Sequence, residues 1–163
     1  YGITIGLDYK GFDFSTYFQG VGSRDYWAYG NVAIPSGMSA LDAIFTHQTD
    51  YWTPQNTDAF YPRPTDHSWV SDGQNFKIQD RYLSDMSYLR CKNITLGYSL
   101  PKNLLKKIDF QKVRVYFSAE NMFTWDNMHL PVDPETTSWK GAWAFGRSYP
   151  YMKTISFGVQ AVF

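Results

Sequence analysis

The chain has 163 residues, the length of one domain or part of one, and its fifteen Lys plus Arg are balanced by fifteen Asp plus Glu. Zero net charge argues against a nucleic-acid binder, which needs a basic excess to neutralise phosphates, and a single cysteine, Cys91, excludes an internal disulfide. A mean hydropathy of -0.41, with no run near the ~18 apolar residues of a membrane helix, excludes a helical membrane protein but not one that crosses with strands, since a strand needs only ~9–11 residues with alternate ones apolar.

The chain opens on "YGITIGLDYK", in which Tyr1, Ile3, Ile5, Leu7 and Tyr9 share one parity and Gly2, Thr4, Gly6, Asp8 and Lys10 the other. A period of two predicts a strand with one apolar face. No basic leader or apolar signal segment precedes it, so Tyr1 reads as a break in a longer chain. "FDFSTYFQGVG" continues the alternation, with Phe12, Phe14, Thr16 and Phe18 opposite Asp13, Ser15, Tyr17 and Gln19. Gly11 between the two predicts a hairpin with a tight turn.

Residues 22 to about 85 lose periodicity and are rich in Gly, Pro, Asp, Asn, Tyr and Trp; "SALDAIF" within them suggests a helical turn or two. Alternation returns at "SYLRCKNITLGYSL", where Ile94, Leu96, Tyr98 and Leu100 share a face but Arg90 and Lys92 fall on the same parity. Either a bulge shifts the register near Asn93 or the first half stands clear of the apolar layer. Pro101 opens "PKNLLKKIDFQ", a short connection in which one helical turn would place Leu104, Leu105 and Ile108 on one side. "VRVYFSAENMFTW" is the fourth strand, with Val113, Val115, Phe117, Ala119 and Phe123 facing one way and Arg114, Tyr116, Ser118, Glu120 and Thr124 the other. After a second long loop, about 126–149, the chain closes on Ile155, Phe157, Val159, Ala161 and Phe163 in alternation with Thr154, Ser156, Gly158 and Gln160.

These are five strands, at about 1–10, 12–21, 86–100, 112–125 and 151–163, with connections that run short, long, short, long. In an up-and-down antiparallel sheet that order puts every short turn on one rim and every long loop on the other, as in outer-membrane barrels. Tyr1, Tyr9, Tyr98, Trp125, Tyr151 and Phe163 sit near strand ends, where interfacial aromatic girdles lie. The alternation alone fits a soluble antiparallel sandwich equally well; the loop asymmetry and aromatic terminus favour the barrel. Five strands cannot close a membrane barrel, and open edges in lipid leave backbone groups unpaired at several kcal/mol each. The expected fold is therefore all-β, an antiparallel transmembrane segment of a larger barrel.

The stretch "YLRCKNITLGYSLPKNLLKKI" followed by "VRVYFSAENMFTW" and "LPVDPE" resembles the C-terminal region of SusC-like TonB-dependent outer-membrane transporters, as do "DYKGFDFSTYFQGVGSRDYW" and "DYWTPQNTDAFYPRP". The resemblance spans almost the whole chain, with several motifs in order. It implies the last five strands of an approximately 22-stranded barrel around a plug, in a Gram-negative outer membrane. It further implies active import of oligosaccharides or peptides with a SusD-like surface lipoprotein and the TonB–ExbB–ExbD machinery. The closing "SFGVQAVF" resembles a C-terminal assembly signal, with Gly158 and Phe163 in place. The residues carry no plug domain and no TonB box, so the parts that gate and energise the pore are expected elsewhere.

Nothing in the sequence points to catalysis, to a cofactor or to a metal. His47, His67 and His129 are far apart, without metal-ligand spacing, and no nucleophile or phosphate-binding motif is present. Asn93-Ile94-Thr95 matches a glycosylation sequon but lies in a predicted strand. The loop aromatics are the best functional lead. Trp27, Tyr51, Trp52, Trp69, Trp139 and Trp143, with Tyr29, Phe60, Tyr61 and Tyr149, offer flat apolar area for a sugar or a protein partner. The competing expectation is that they pack the loops on one another. Arg114, Tyr116, Glu120, Thr154 and Gln160 are expected to line the lumen or meet the plug, with Arg114 and Glu120 as possible ion-pair formers there. The lysines 102, 106 and 107 are expected in a solvated periplasmic turn.

Overall fold

The computed structural model describes residues 1–28, 30, 32–35, 43–64, 77–108, 110–136, 146 and 148–163. In chain order the elements are β1 (Gly2–Tyr9), β2 (Phe12–Val21), β3 (Asp25–Trp27), β4 (Leu83–Asp85), β5 (Tyr88–Ser99), α1 (Lys102–Ile108), β6 (Lys112–Asp126) and β7 (Thr154–Val162). By internal packing they fall into two units, one of Tyr1–Gly22, Tyr88–Asp126 and Tyr151–Phe163, the other of Ser23–Ser87 and Asn127–Pro150.

The first unit is a five-stranded antiparallel sheet in the order β1-β2-β5-β6-β7. All five predicted strands are present: β2 has the expected bounds, β6 runs one residue further, and β1, β5 and β7 are shorter at their ends, where pairing frays. The register aligns the predicted apolar parities into cross-strand rows: Leu7–Phe14–Leu96–Phe117–Phe157, and next to it Ile5–Thr16–Ile94–Ala119–Ile155. One residue further along each strand, the rows read Gly6–Ser15–Thr95–Ser118–Ser156 and Asp8–Asp13–Gly97–Tyr116–Gly158. Alternation thus becomes two chemically distinct faces.

The irregular half of β5 is resolved in favour of a bulge. Between Cys91 and Asn93 the residue Lys92 is extra relative to β2, where Tyr17 and Phe18 pair with Asn93 and Cys91 directly. On the other side, Asn121 and Met122 stand against the same single residue, and Asn121 takes a positive φ of 52°, the left-handed conformation of a bulge. One extra residue reverses parity in β5, whereas two extra in β6 preserve it. Cys91 therefore joins Phe18 and Phe123 in an apolar-face row. Arg90 turns to the polar face, where its Nε donates to Thr124 Oγ1 at 2.9 Å.

The short connections sit at one end of this sheet. Lys10 and Gly11, both at positive φ (47° and 90°), close the β1–β2 turn, the geometry whose twist matches paired strands. Pro101 immediately precedes α1 (Lys102–Ile108), and its carbonyl accepts from Leu104 N–H at 3.0 Å. The helix corrects one expectation: Leu105 is buried but its neighbour Leu104 is 48% exposed, since adjacent helical residues are turned ~100° apart; the side chain of Ile108 lies outside the described residues.

The second unit has an ordinary small core. Ala28, Ala33 and Ile34 are buried, and Tyr26, Trp27, Val32, Tyr82, Leu130 and Val132 pack against them. Strands β3 and β4, not anticipated from the sequence, form a two-stranded ladder over Asp25–Trp27 and Leu83–Asp85. Ser87 ties the two long connections together: its carbonyl accepts from Asn127 N–H at 3.3 Å, and its hydroxyl accepts from the Asn127 amide at 2.8 Å. The suggested helix in "SALDAIF" falls mostly outside the described residues; 43–45 are not helical, and a single 3-10 turn follows at Thr46–Gln48.

Candidate functional site

On the polar face of the sheet, Arg114 on β6 reaches across β5 to Asp13 on β2. Its Nε donates to Asp13 Oδ1 at 2.9 Å, and a terminal guanidinium nitrogen pairs with Oδ2, a two-pronged charge-assisted contact. The strand between them offers Gly97, where an added Cβ would fall on both partners. Tyr116 lies over Gly158 of β7 in the same manner, its ring in the space a Cβ there would need. Both glycines permit a side chain to cross a strand. Of the polar-face residues predicted to line a lumen, Arg114 thus has its partner within the sheet, while Glu120, Thr154 and Gln160 are exposed.

The apolar face is exposed. Ile3 (53%), Leu96 (47%), Ile155 (56%) and Phe157 (81%) present large side chains to the surroundings, a clustered apolar face rather than single scattered residues. Tyr1 and Trp125 are exposed toward the long-connection end, Tyr9 and Phe163 toward the other. Phe163 meets Phe110 edge-on, with ring centroids 6.3 Å apart. The bulge lysine Lys92 holds its ammonium 4.1 Å from the centre of the Tyr151 ring, a cation–π contact.

In the loop unit Phe60, Tyr61 and Tyr82 pack on one another. Phe60 stands edge-on to both Tyr61 (4.9 Å) and Tyr82 (5.6 Å), whose rings are parallel at 6.4 Å, and His129 tilts against Phe60. The crevice they line with Ala28, Ser84 and Leu130 has room for little more than one water. It is a packing seam. Burial raises the phenol pKa of Tyr61 and of Tyr82, and the Tyr82 hydroxyl donates to the Phe60 carbonyl at 3.1 Å.

Residues 50–61 are shaped by Asp50. Its carboxylate accepts from Phe60 N–H and from the Asn56 amide, each at 3.0 Å, and these bonds, the backbone one first, hold its pKa below the usual carboxylate value. Asp85 is likewise lowered, chiefly by the Ser87 N–H at 2.8 Å.

The predicted contact aromatics therefore separate. Trp27 packs on the Ala28–Ile34 core, Tyr51 is half-buried and bridges to Tyr61, and Trp52 is 37% exposed. Tyr29, Trp69, Trp139, Trp143 and His67 lie outside the described residues. Tyr149 is 90% exposed. His47 binds the Val32 carbonyl at 2.8 Å. Among the described residues no group of His, Cys, Asp and Glu is arranged to hold a metal, and no helix is long and apolar enough to cross a membrane. Sequence reasoning missed Asp13 and Gly97, whose role depends on strand register.

No family model matches the chain. It is 30% identical over 171 aligned residues to TonB-dependent receptor P3 of Formosa agariphila, covering 99% of this chain and 16% of that protein. It is 28% identical to TonB-dependent receptor SusC of Bacteroides thetaiotaomicron, covering 95% of this chain and 14% of that protein. The chain thus spans about a sixth of the length of the curated relatives it matches. Among solved structures it superposes on the RagAB peptide transporter with a TM-score of 0.73 at 24% identity, over 99% of this chain and 17% of that one; the same importer in its closed-closed state gives 0.71. The fold is the all-β wall of that barrel type, without closure in these five strands. Receptors and transporters of this kind are not enzymes. The chain is homologous, at family level, to the TonB-dependent, SusC-like receptors, at low identity and over a small part of their length.

Proposed function

We propose that the chain is the closing five-stranded segment of an outer-membrane TonB-dependent importer, about 22 strands in all, and that it contributes barrel wall, lumen surface and extracellular loops. The observation that carries this is the sheet with one exposed apolar face and one polar face, unpaired at both edges, β1 and β7. A soluble carbohydrate-binding sandwich, the alternative, would bury the face that carries Ile3, Leu96 and Phe157. Unpaired strand edges in hydrocarbon cost several kcal/mol per group, so the remainder of the barrel must pair with them.

The homology to outer-membrane receptors supports that location at family level. The finer reading assigns oligosaccharides or peptides as cargo, the latter being what the RagAB structures are described as importing. A SusD-like lipoprotein would close over the loops, a plug would fill the lumen against Glu120, Gln160 and their neighbours, and TonB–ExbB–ExbD would drive plug displacement. The chain's part is non-catalytic: of the loop aromatics singled out in the sequence, Trp52 and Tyr149 are the described ones left exposed for partner or cargo, and Gly158 and Phe163 belong to the closing segment read by the assembly machinery. The native mass, in detergent, of the purified particle that contains this chain tests the reading. A species far heavier than 18.9 kDa is expected; a stable, detergent-free 18.9 kDa monomer overturns it.

A further inference from the structure

We propose that the short-connection rim of the sheet binds an anionic phospholipid of the bilayer, its phosphate held by Lys10, Lys102 and Lys106 and one acyl chain laid along a hollow beside Phe12. The inference rests on the reading of the sheet as membrane wall. The hollow, about 280 Å³, lies in the apolar face and is lined by Phe12, Leu96, Tyr98, Val115, Phe117 and Phe157, with room for a length of acyl chain but not for a packed polypeptide. Its row Tyr9–Phe12–Tyr98–Val115 is the row next to the short connections.

Among the described residues the charge at that rim is one-sided. Lys10 stands in the β1–β2 turn with its ammonium 5.1 Å from the centre of the Tyr9 ring, and Tyr9 belongs to the apolar parity. It is therefore held at the edge of the lipid face. Lys102 and Lys106, one helical turn apart and so on one face of α1, are both exposed. Two lysines on one face suit the headgroup layer, where long lysine stems extend toward phosphates. The nearby described carboxylates do not cancel them: Asp13 is paired with Arg114, and Asp8 sits in a polar-face row with Asp13. Asp109 lies outside the described residues. Apolar hollow and unbalanced cations together match an anionic lipid, which has both a chain and a charge; a zwitterionic lipid meets only the first.

The test uses the full-length protein that contains this chain, reconstituted in nanodiscs of phosphatidylcholine alone or of an equal mixture with phosphatidylglycerol, with retained lipid counted by native mass spectrometry. Phosphatidylglycerol should be retained in preference, and each of Lys10→Gln, Lys102→Gln and Lys106→Gln should lower that preference about fivefold, the equivalent of ~1 kcal/mol per lysine near an anionic surface. Lys153→Gln, at the opposite end of β7, should leave it unchanged. Val115→Trp, which fills the hollow, should reduce retention of both lipids. Each variant is checked for folding by heat-dependent gel mobility. Retention without anionic preference, or loss of preference in Lys153→Gln equal to that in the rim variants, overturns the inference and leaves the barrel intact. Failure of the protein to enter discs of either composition overturns the membrane reading itself, and this inference with it.

Discussion

The two units of this chain use the same aromatic-rich alphabet in opposite ways. In the sheet unit, large apolar side chains such as Leu7, Phe157 and Phe163 face outward, while the polar face holds the Arg114–Asp13 pair. In the loop unit, Ile34, Tyr61 and Met86 are buried and charged groups such as Asp50 and Asp85 are exposed. On the proposed reading, the loop unit is built for water and the sheet unit for hydrocarbon. Stability in the first would come from apolar burial. In the second it would come from backbone pairing and an apolar exterior that matches its solvent.

The largest test of the difference is in the loop unit. Ile34→Ala opens a cavity at a site with 0% exposure and should cost about 2–5 kcal/mol. Hydrogen exchange should then show protection lost over β3 and β4 while β5 and β6 remain protected; loss in both sets would show that the units do not differ in this way. Next, Ile155→Arg on the exposed face should cost about 2–4 kcal/mol in a bilayer if it lies near the midplane, against about 0.5 kcal/mol or less for an ordinary water-exposed position. Refolding equilibria in lipid measure this directly, and a near-neutral result removes the membrane from that face.

Smaller effects probe the glycine crossings. Gly97→Ala forces the Arg114 and Asp13 side chains apart and should destabilise by about 1–3 kcal/mol. In an Arg114→Ala background the same change should be nearly silent, so a double-mutant cycle reads the coupling. The loop unit, in contrast, should respond to acid. The lowered pKa of Asp50 and Asp85 means that their contribution is present above the unfolded carboxylate pKa of about 3.9 and is lost as pH falls through the still lower folded values. Loop protection should be flat above about pH 5 and fall below it, less steeply in Asp50→Asn. The smallest effect is expected at Trp52: Trp52→Ala should shift stability by about 0.5 kcal/mol or less while it weakens capture of the surface partner, whereas Trp27→Ala should loosen the core it packs on.

Much of the sheet was legible because period-two alternation is a local signal: Tyr1 through Tyr9 or Ile155 through Phe163 shows its two faces without reference to any other strand. The irregularity at Arg90 and Lys92 was visible too, but its meaning was not. A bulge is defined by a count against neighbouring strands, and the neighbours of Lys92 are Tyr17–Phe18 and Asn121–Met122. The candidate site was less legible. Arg114 was singled out as an ion-pair former, yet its partner Asp13 is 101 positions away, and Gly97 looked like an ordinary strand glycine until the register put both side chains above it.

By itself, then, the sequence determined five of the strands, the parity of their faces outside the Arg90–Lys92 stretch and the short–long order of the connections, because each is set by neighbours along the chain. The tertiary structure decided the bulge, the Arg114–Gly97–Asp13 crossing, the β3–β4 ladder and the division of aromatics between an exposed sheet face and a packed seam. These depend on which residues register brings within a few ångströms, and loop segments such as Tyr26 and Ser84 meet only after the chain has closed the long path between them.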